Sequence, residues 1–201
     1  MRVPMQEIIQ GVLEAEINAI RGIPATNPFS ECVDLFLESK RKGGKLVISG
    51  VGKAGEVGRK MAVTFCSTGL PSVFLHPLEA QHGDLGMLCS HDVVLLISNS
   101  GKTREILELE ALSKQLIPTI KIISLTSRQY SLLAEKSDLV LWTGDPEEVC
   151  PLGLTPTTST TVMSVIGDVL AVLVVKLSGY STKDYALRHH NGYLGLKARS
   201  G

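Results

Sequence analysis

Five short apolar runs recur along the chain of 201 residues, and the segments between them have helical periodicity. The runs are rich in branched aliphatic residues and have the length of strands buried on both faces. We predict strands at 45–49, 72–76, 93–98, 120–125 and 139–142, and helices at 4–20, 29–40, 56–67, 103–115, 129–136 and 157–178. Buried strands that alternate with helices favour a parallel sheet covered on both faces. The sequence therefore predicts a single α/β domain, a three-layer α-β-α sandwich with a five-stranded parallel sheet.

The charge balance and the cysteines restrict the class of protein. Basic and acidic residues number 20 each, so the formal net charge is zero and gives no electrostatic footprint for nucleic acid or an anionic membrane. The apolar segment 162–177 contains Ser164 and Asp168, which favours a buried helix over a membrane span. The N-terminus has no apolar signal core. The cysteines lack CxxC spacing, so we expect reduced thiols in the cytoplasm at Cys32, Cys66, Cys89 and Cys150.

The third predicted strand runs directly into the segment SNSGKT, residues 98–103. Ligands of open parallel sheets bind at the carboxyl ends of the strands, and Gly101 permits a tight turn there. Thr103 begins the next helix, whose free N–H groups and partial positive charge suit a phosphate. A simple helix cap explains this stretch equally well when it is taken alone. The candidate phosphate ligands are Ser98, Asn99, Ser100 and Thr103.

The segment GVGKAG at 50–55 matches the G-x-G-x-x-G pattern of dinucleotide-binding proteins. That pattern also requires an acidic residue at the end of the second strand, where this chain has His76 and Pro77 with Glu79 only beyond them. A nicotinamide cofactor is therefore the less favoured interpretation. Lys53 within the segment places a cation where an anionic substrate would lie.

Two further stretches have unusual polarity. The segment HPLEAQHGDLGM at 76–87 combines two histidines with two acids, and it is also compatible with a solvated loop. The segment DPEEVCPLGLTPTTSTT at 145–161 places acids before a threonine cluster that opens the long helix. This helix start is a second site suited to an anion, although capping alone would also explain the threonines.

Together these stretches resemble the sugar isomerase (SIS) domain family, and within it the arabinose 5-phosphate isomerases. The matching segments follow the family order over about 45–195 and are GVGKAGEVGRKMA, STGLPSVFLHPLEAQHGDLGM, DVVLLISNSGKTREI, CPLGLTPTTSTT, GDVLAV and DYALRHHNGYLG. The resemblance implies an aldose–ketose isomerase that interconverts D-ribulose 5-phosphate and D-arabinose 5-phosphate through an enediol(ate), feeding Kdo in lipopolysaccharide or capsule biosynthesis. It also implies a homotetramer whose active sites are shared between subunits, and it implies no cofactor and no metal.

The resemblance also assigns roles to individual residues. The implied catalytic residues are Lys53, Glu105, Glu148 and His189. The implied substrate- and phosphate-binding residues are Gly52, Ser98, Asn99, Ser100, Thr103, Thr155, Thr157, Thr158, His82 and Asp84. These residue types suit the reaction, because a glutamate can move the proton next to the carbonyl and an ammonium can stabilise the developing oxyanion. A histidine can assist opening of the sugar ring.

The chain departs from the family pattern at two places. Lys102 stands where the family usually has glutamate, and the segment RHHNG at 188–192 replaces SHPGG. Longer members carry a pair of regulatory CBS domains, and we expect this chain to be the form without them. We expect residues 1–201 to be one SIS domain, with 1–42 as N-terminal helical arms.

These departures predict a mode of regulation. A feedback ligand would then bind the isomerase cleft itself, where Lys53, Lys102, Arg188 and His190 suit an anionic nucleotide-activated sugar acid, CMP-Kdo. Two other functions remain open, namely isomerisation of a hexulose or heptulose phosphate and non-catalytic sensing of a sugar phosphate.

Overall fold

The computed structural model describes residues 4–200, and its five strands form one parallel sheet in the order β2-β1-β3-β4-β5. The strands are β1 Leu46–Gly50, β2 Ser72–Phe74, β3 Val93–Ile97, β4 Lys121–Thr126 and β5 Leu139–Trp142. Every residue of β1 and β3 is buried, as expected for central strands covered on both faces. The predicted five-stranded parallel sheet is confirmed.

The strand order creates a crevice next to β1. The chain passes from β1 to β2 on one side and then returns to place β3 on the other side, with Gly50 opposite Ile97 in the register. The helices that follow β1 and β3 therefore leave the sheet in different directions. A reversal of this kind opens a crevice at the carboxyl ends of the two strands, where ligands of open α/β sheets bind.

Helices cover both faces of the sheet. They are α1 Met5–Arg21, α2 Phe29–Arg41, α3 Gly52–Ser67, α4 Pro77–Ala80, α5 Arg104–Leu116, α6 Leu132–Lys136, α7 Thr158–Ser178, α8 Thr182–Ala186 and α9 Gly192–Ser200. The helix expected from 56 begins at Gly52, within the glycine-rich segment, and the helix expected at 129–136 begins only at Leu132. The sequence did not predict α4, α8, α9 or the 3₁₀ turn Asp84–Met87, which are short and contain proline, glycine or many polar residues.

Alternate residues of each strand feed two separate cores. On one face, Leu46 and Ile48 pack with apolar residues of α2, α3 and α7, including Phe36 and Phe65. On the other face, strand residues such as Val47 pack with residues of α4 and α5. The side-chain period of two along a strand separates the faces, which gives the expected three-layer architecture.

Helix α7 is long and apolar enough to cross a membrane by length and composition alone. It contains nine buried residues and packs against α1, α2 and α3. Asp168, on its exposed side, is ion-paired with Lys60 of α3. These contacts support the expectation of a helix buried in the core of a folded domain.

The two N-terminal helices differ in their packing. Helix α1 has no buried residue and exposes a stripe of apolar side chains that includes Ile8, Ile9 and Leu13, which suits an arm. Helix α2, in contrast, buries Cys32 and Phe36 in the core and is part of the α-β-α layers. The expectation of helical arms over 1–42 stays a prediction, and residues 1–3 lie outside the described part.

Candidate active site

A cleft with a volume of about 250 Å³ lies at the carboxyl ends of β1 and β3, at the point where the strand order reverses. Three segments line it, namely the start of α3, the loop after β3 and the start of α7. The lining residues are Val51, Lys53, Ala54, Ile97, Ser98, Asn99, Ser100, Thr103, Pro156, Ser159, Thr160 and Met163. The structure therefore brings together Lys53 and all four residues of the predicted phosphate loop.

Hydrogen bonds fix the phosphate loop from within. The Ser98 hydroxyl, on a side chain that is 2% exposed, lies 2.7 Å from the Thr103 hydroxyl and accepts the Gly101 amide at 3.1 Å. The Asn99 carbonyl accepts the Ser127 hydroxyl at 2.8 Å, which ties the loop to the end of β4. The loop is held before any ligand binds, while Asn99 and Ser100 remain exposed.

Gly101 supplies the turn that the loop requires. Its φ of +61° lies in the left-handed region, which favours glycine. A Cβ atom at this position would lie 1.9 Å from Ser131 Oγ and 2.4 Å from Ser131 Cβ, so no side chain fits. The glycine of SNSGKT is thus required both by its backbone conformation and by the close approach of Ser131.

Three helix N-termini open toward the cleft, because α3, α5 and α7 all begin among or beside its lining residues. Each contributes free N–H groups and a partial positive charge. Lys53, in the first turn of α3, adds a full charge and forms no ion pair with a carboxylate within residues 4–200. The cleft is consequently suited to an anionic group such as phosphate.

Glu148 caps α7 at the edge of the cleft. Its Oε2 atom accepts hydrogen bonds from the Thr157 amide at 2.6 Å, the Thr157 hydroxyl at 2.8 Å and the Ser159 amide at 3.3 Å. Partial burial raises the pKa of Glu148, but the hydrogen bonds from Ser159 and Thr157 outweigh it, so the pKa lies below the usual value. Glu148 is thus an ionised carboxylate held in place.

The other predicted residues of this region differ in position. Glu105 is half-buried in the first turn of α5, just beyond the lining residue Thr103. Gly52 is the exposed first residue of α3, with φ +58°. Neither is a lining residue of the cleft. Both lie beside the cleft, and their implied roles stay predictions.

The threonine cluster is only partly as expected. Thr157 binds Glu148, Thr155 is exposed, and the buried Thr158 faces α1 instead of the cleft. The cleft is lined instead by Ser159 and Thr160, which the sequence did not single out. The only available signal was the run of hydroxyl residues itself, since the exposed side of a helix start depends on its packing.

His82 and Asp84 lie outside the cleft. His82 is exposed between α4 and the 3₁₀ turn Asp84–Met87, and Asp84 is the exposed first residue of that turn. Within one chain, the structure places neither against the phosphate loop. No group of three or more histidine, cysteine, aspartate or glutamate side chains with metal-binding geometry occurs among residues 4–200.

His189 lies far from the cleft, in the segment that follows the C-terminal end of α7. Helix α7 starts at the cleft and runs for 21 residues, about 30 Å, before the chain reaches the His189 segment. There the Tyr180 hydroxyl donates to the Ser67 carbonyl at the far end of α3, and the Arg188 guanidinium lies 5.3 Å from the Tyr180 ring centre. His189 itself stacks on Tyr185, with ring centres 3.8 Å apart.

The same position bears on a second expectation. Arg188 and His190 were expected to add positive charge to the cleft of Lys53, and within one chain they follow α7 together with His189, away from that cleft. Their contribution to a cleft stays a prediction. Of the additional basic groups Lys102, Arg188 and His190, Lys102 lies within the phosphate loop of the same chain. The sequence could not reveal this, because the length and direction of α7 set the separation.

The fold and the cleft define an α/β protein with an anion-binding crevice at a topological switch point. Residues 40–173 match the family model described as the SIS domain, and the chain belongs to this family. The expected family is thereby confirmed.

Proteins of known name are similar to this chain. It is 46% identical over 169 residues to the arabinose 5-phosphate isomerase KdsD of Francisella tularensis, which covers 84% of this chain and 51% of the relative. It is 50% identical over 154 residues to KdsD of Escherichia coli K12, which covers 77% of this chain and 46% of the relative. The chain therefore spans about half the length of the curated relatives it matches.

Two solved structures match nearly the whole chain. A candidate phosphosugar isomerase involved in capsule formation, from Bacteroides fragilis, has a TM-score of 0.93 and 55% identity, covering 94% of this chain and all of that one. A protein of E. coli CFT073 in complex with arabinose 5-phosphate has a TM-score of 0.82 and 39% identity, covering 92% of this chain and 97% of that one.

Proposed function

We propose that this chain is an aldose–ketose isomerase that interconverts D-ribulose 5-phosphate and D-arabinose 5-phosphate, for the synthesis of Kdo in lipopolysaccharide or capsule. The observation that carries the proposal is the cleft, which combines a rigid hydroxyl loop, converging helix N-termini and the cation of Lys53. The similarity to proteins named arabinose 5-phosphate isomerase, and to one in complex with that sugar phosphate, supports this choice of sugar.

The proposed chemistry assigns a part to each side of the cleft. The loop of Ser98 to Thr103 and the start of α7 bind the phosphate. The Lys53 ammonium lies near the sugar carbonyl and stabilises the oxyanion of the enediolate. A glutamate, Glu105 or Glu148, removes the proton from one carbon and returns it to the next.

A panel of five- to seven-carbon aldose and ketose phosphates tests this proposal with the purified protein in a coupled assay. We expect the highest kcat/KM for the arabinose and ribulose 5-phosphate pair. Lys53→Gln should abolish most of this turnover, whereas Lys60→Gln, on the same helix but ion-paired to Asp168, should retain it. A higher kcat/KM for a hexulose or heptulose phosphate would show that the proposed substrate is wrong. Tight binding of a sugar phosphate without turnover would indicate a sensor.

We propose further that the active protein is a homotetramer and that His189 completes the cleft of a neighbouring subunit. Its position beyond the C-terminal end of α7, far from its own cleft, supports this arrangement. Exposed apolar side chains on α1 and the exposed Val63 and Val172 offer surfaces for assembly. A site built in this way would require the oligomer for catalysis.

Mixing two inactive variants tests the shared site. Lys53→Ala and His189→Ala should each be inactive alone, but co-expressed subunits should recover up to roughly a quarter of wild-type activity, because random assembly leaves that share of sites intact. The matched control is co-expression of Lys53→Ala with Glu105→Ala, which alter the same subunit's cleft region. Recovery confined to the first pair supports sharing, and no recovery in either pair contradicts it.

We propose the cytoplasm as the place of this activity, in agreement with four cysteines that are all free thiols in the structure.

We also propose competitive feedback by CMP-Kdo at the cleft. Lys102 is exposed in the phosphate loop and borders a neighbouring depression of about 600 Å³ together with Arg128, which is ion-paired with Asp145. The Lys102 ammonium therefore supplies the additional positive charge, which suits a ligand with more negative charge than a pentose phosphate.

A further inference from the structure

We propose that Glu16 of helix α1 is a positioning residue for the loop 143–157, which joins β5 to α7 and carries Glu148. This inference rests on the proposed isomerase function. Glu16 is separated from the loop by more than a hundred residues in sequence, and no sequence pattern marks it. The tertiary structure places its carboxylate behind the cleft, at the start of α7, where the loop joins the helix.

The connection runs through one buried hydroxyl. Thr158, which is 1% exposed, donates its hydroxyl proton to Glu16 Oε1 at 3.0 Å. The same hydroxyl oxygen accepts the amide of Val149 at 3.1 Å. Val149 directly follows Glu148, so the backbone of the proposed catalytic residue is tied to α1 through two consecutive hydrogen bonds.

The direction of these bonds depends on the carboxylate. An ionised carboxylate only accepts hydrogen bonds, and a threonine hydroxyl has one proton to donate. Glu16 therefore holds the proton of Thr158 and leaves the lone pairs of that oxygen directed to Val149. Without Glu16 the hydroxyl is free to rotate, and the Val149 amide loses a fixed acceptor.

The opposite side of the loop is held independently. Glu148 Oε2 accepts hydrogen bonds from Thr157 and Ser159. The start of α7 is therefore bound by two carboxylates, by Glu148 on the side of the cleft and by Glu16 on the side of α1. This arrangement leaves the position of Glu148 with little freedom. Preorganisation of this kind matters for proton transfer, because a displacement of about 1 Å can cost 10²-fold in rate.

Stability alone does not account for Glu16. Its Oε2 atom is buried and has no hydrogen-bond partner within residues 4–200, which is a destabilising arrangement. Glu148 already caps the helix, so α7 does not require a second carboxylate there. A half-buried carboxyl group with one unpaired oxygen is poorly explained by stability and well explained by a role in placing the loop.

Steady-state kinetics of Glu16→Ala, Glu16→Gln and the control Glu14→Ala test the proposal. Glu14 lies on the same helix, is exposed and contacts Gln10. We expect Glu16→Ala to lower kcat about 10- to 100-fold with a much smaller rise in KM, since the loop 98–103 is untouched and Glu148 still caps the start of α7. Glu16→Gln retains an acceptor oxygen and should recover most of kcat, and Glu14→Ala should match the wild type.

Hydrogen exchange separates this proposal from the proposed function. We expect the Val149 amide to lose protection in Glu16→Ala but not in Glu14→Ala, whatever the substrate is. Unchanged protection of the Val149 amide in Glu16→Ala would overturn the positioning role. An unchanged kcat in a Glu16→Ala protein that is only less stable would overturn it as well. If the Val149 amide loses protection in Glu16→Ala but the wild type turns over no phosphosugar, the proposed isomerase function is wrong. The contact between Glu16 and the loop that carries Glu148 would still be established.

Discussion

Replacement of Gly101 by alanine should both destabilise the fold and weaken phosphate binding. The added Cβ would lie 2.4 Å from Ser131 Cβ. A change of rotamer moves Ser131 Oγ but not its Cβ, so the clash requires a backbone shift. The shift would disturb both the phosphate loop and the start of α6, where Ser131 caps the Ala134 amide.

The magnitude follows from two separate contributions. A left-handed conformation at φ +61° costs an alanine about 1–2 kcal/mol, and forced repacking costs a further ~1–3 kcal/mol. The sum of about 2–5 kcal/mol is a large share of a typical free energy of unfolding. Gly153→Ala is the matched control, because its φ is also +61° but no atom lies within 4 Å of the added Cβ.

Urea unfolding at fixed protein concentration measures the difference between the two variants. We expect Gly101→Ala to be less stable than Gly153→Ala by at least about 1 kcal/mol, which is the repacking contribution. The KM for the phosphosugar should rise in Gly101→Ala alone. Equal stabilities and equal KM values would refute the argument that Ser131 leaves no room in this loop.

The remaining predictions concern charge. The lowered pKa of Glu148 means that its contribution to stability is present above the usual glutamate pKa of about 4.3 and is lost as the pH falls through the lower folded value. Acid unfolding of Glu148→Gln should therefore be less pH-dependent than that of the wild type or of Glu147→Gln, and identical curves would contradict this. Lys102→Glu should weaken CMP-Kdo inhibition more than it raises KM, as measured by inhibition series at several substrate concentrations; substrate-independent inhibition would refute a site in the cleft.

The architecture was accessible from local patterns. The apolar runs at 93–98 and 120–125 predict their strands within a residue or two, because burial on both faces imposes a continuous apolar sequence. The loop SNSGKT was recognisable since turn chemistry and helix starts are encoded by neighbouring residues. The resemblance to the SIS family added the expected substrate, which no periodicity could supply.

The tertiary structure decided which residues share the cleft. The hydroxyl run at the start of α7 predicts an anion site, but the packing of that helix directs Ser159 and Thr160 to the cleft and Thr158 to α1. A local pattern cannot reveal this, because the side of a helix that faces a ligand depends on contacts with distant elements. It also cannot reveal Glu16, which reaches the site only through the folding of α1 against α7.

The sequence by itself thus determined the strands, the parallel sheet and the chemistry of the loop after β3, which depend on residues close together in the chain. The crevice depends on the strand order β2-β1-β3, which only the tertiary structure shows. Only the tertiary structure showed that Lys53 meets that loop while His189 lies beyond the far end of α7. The physical reason is distance. Two residues share a site through the direction and length of the elements between them, and for His189 that element is α7, about 30 Å long.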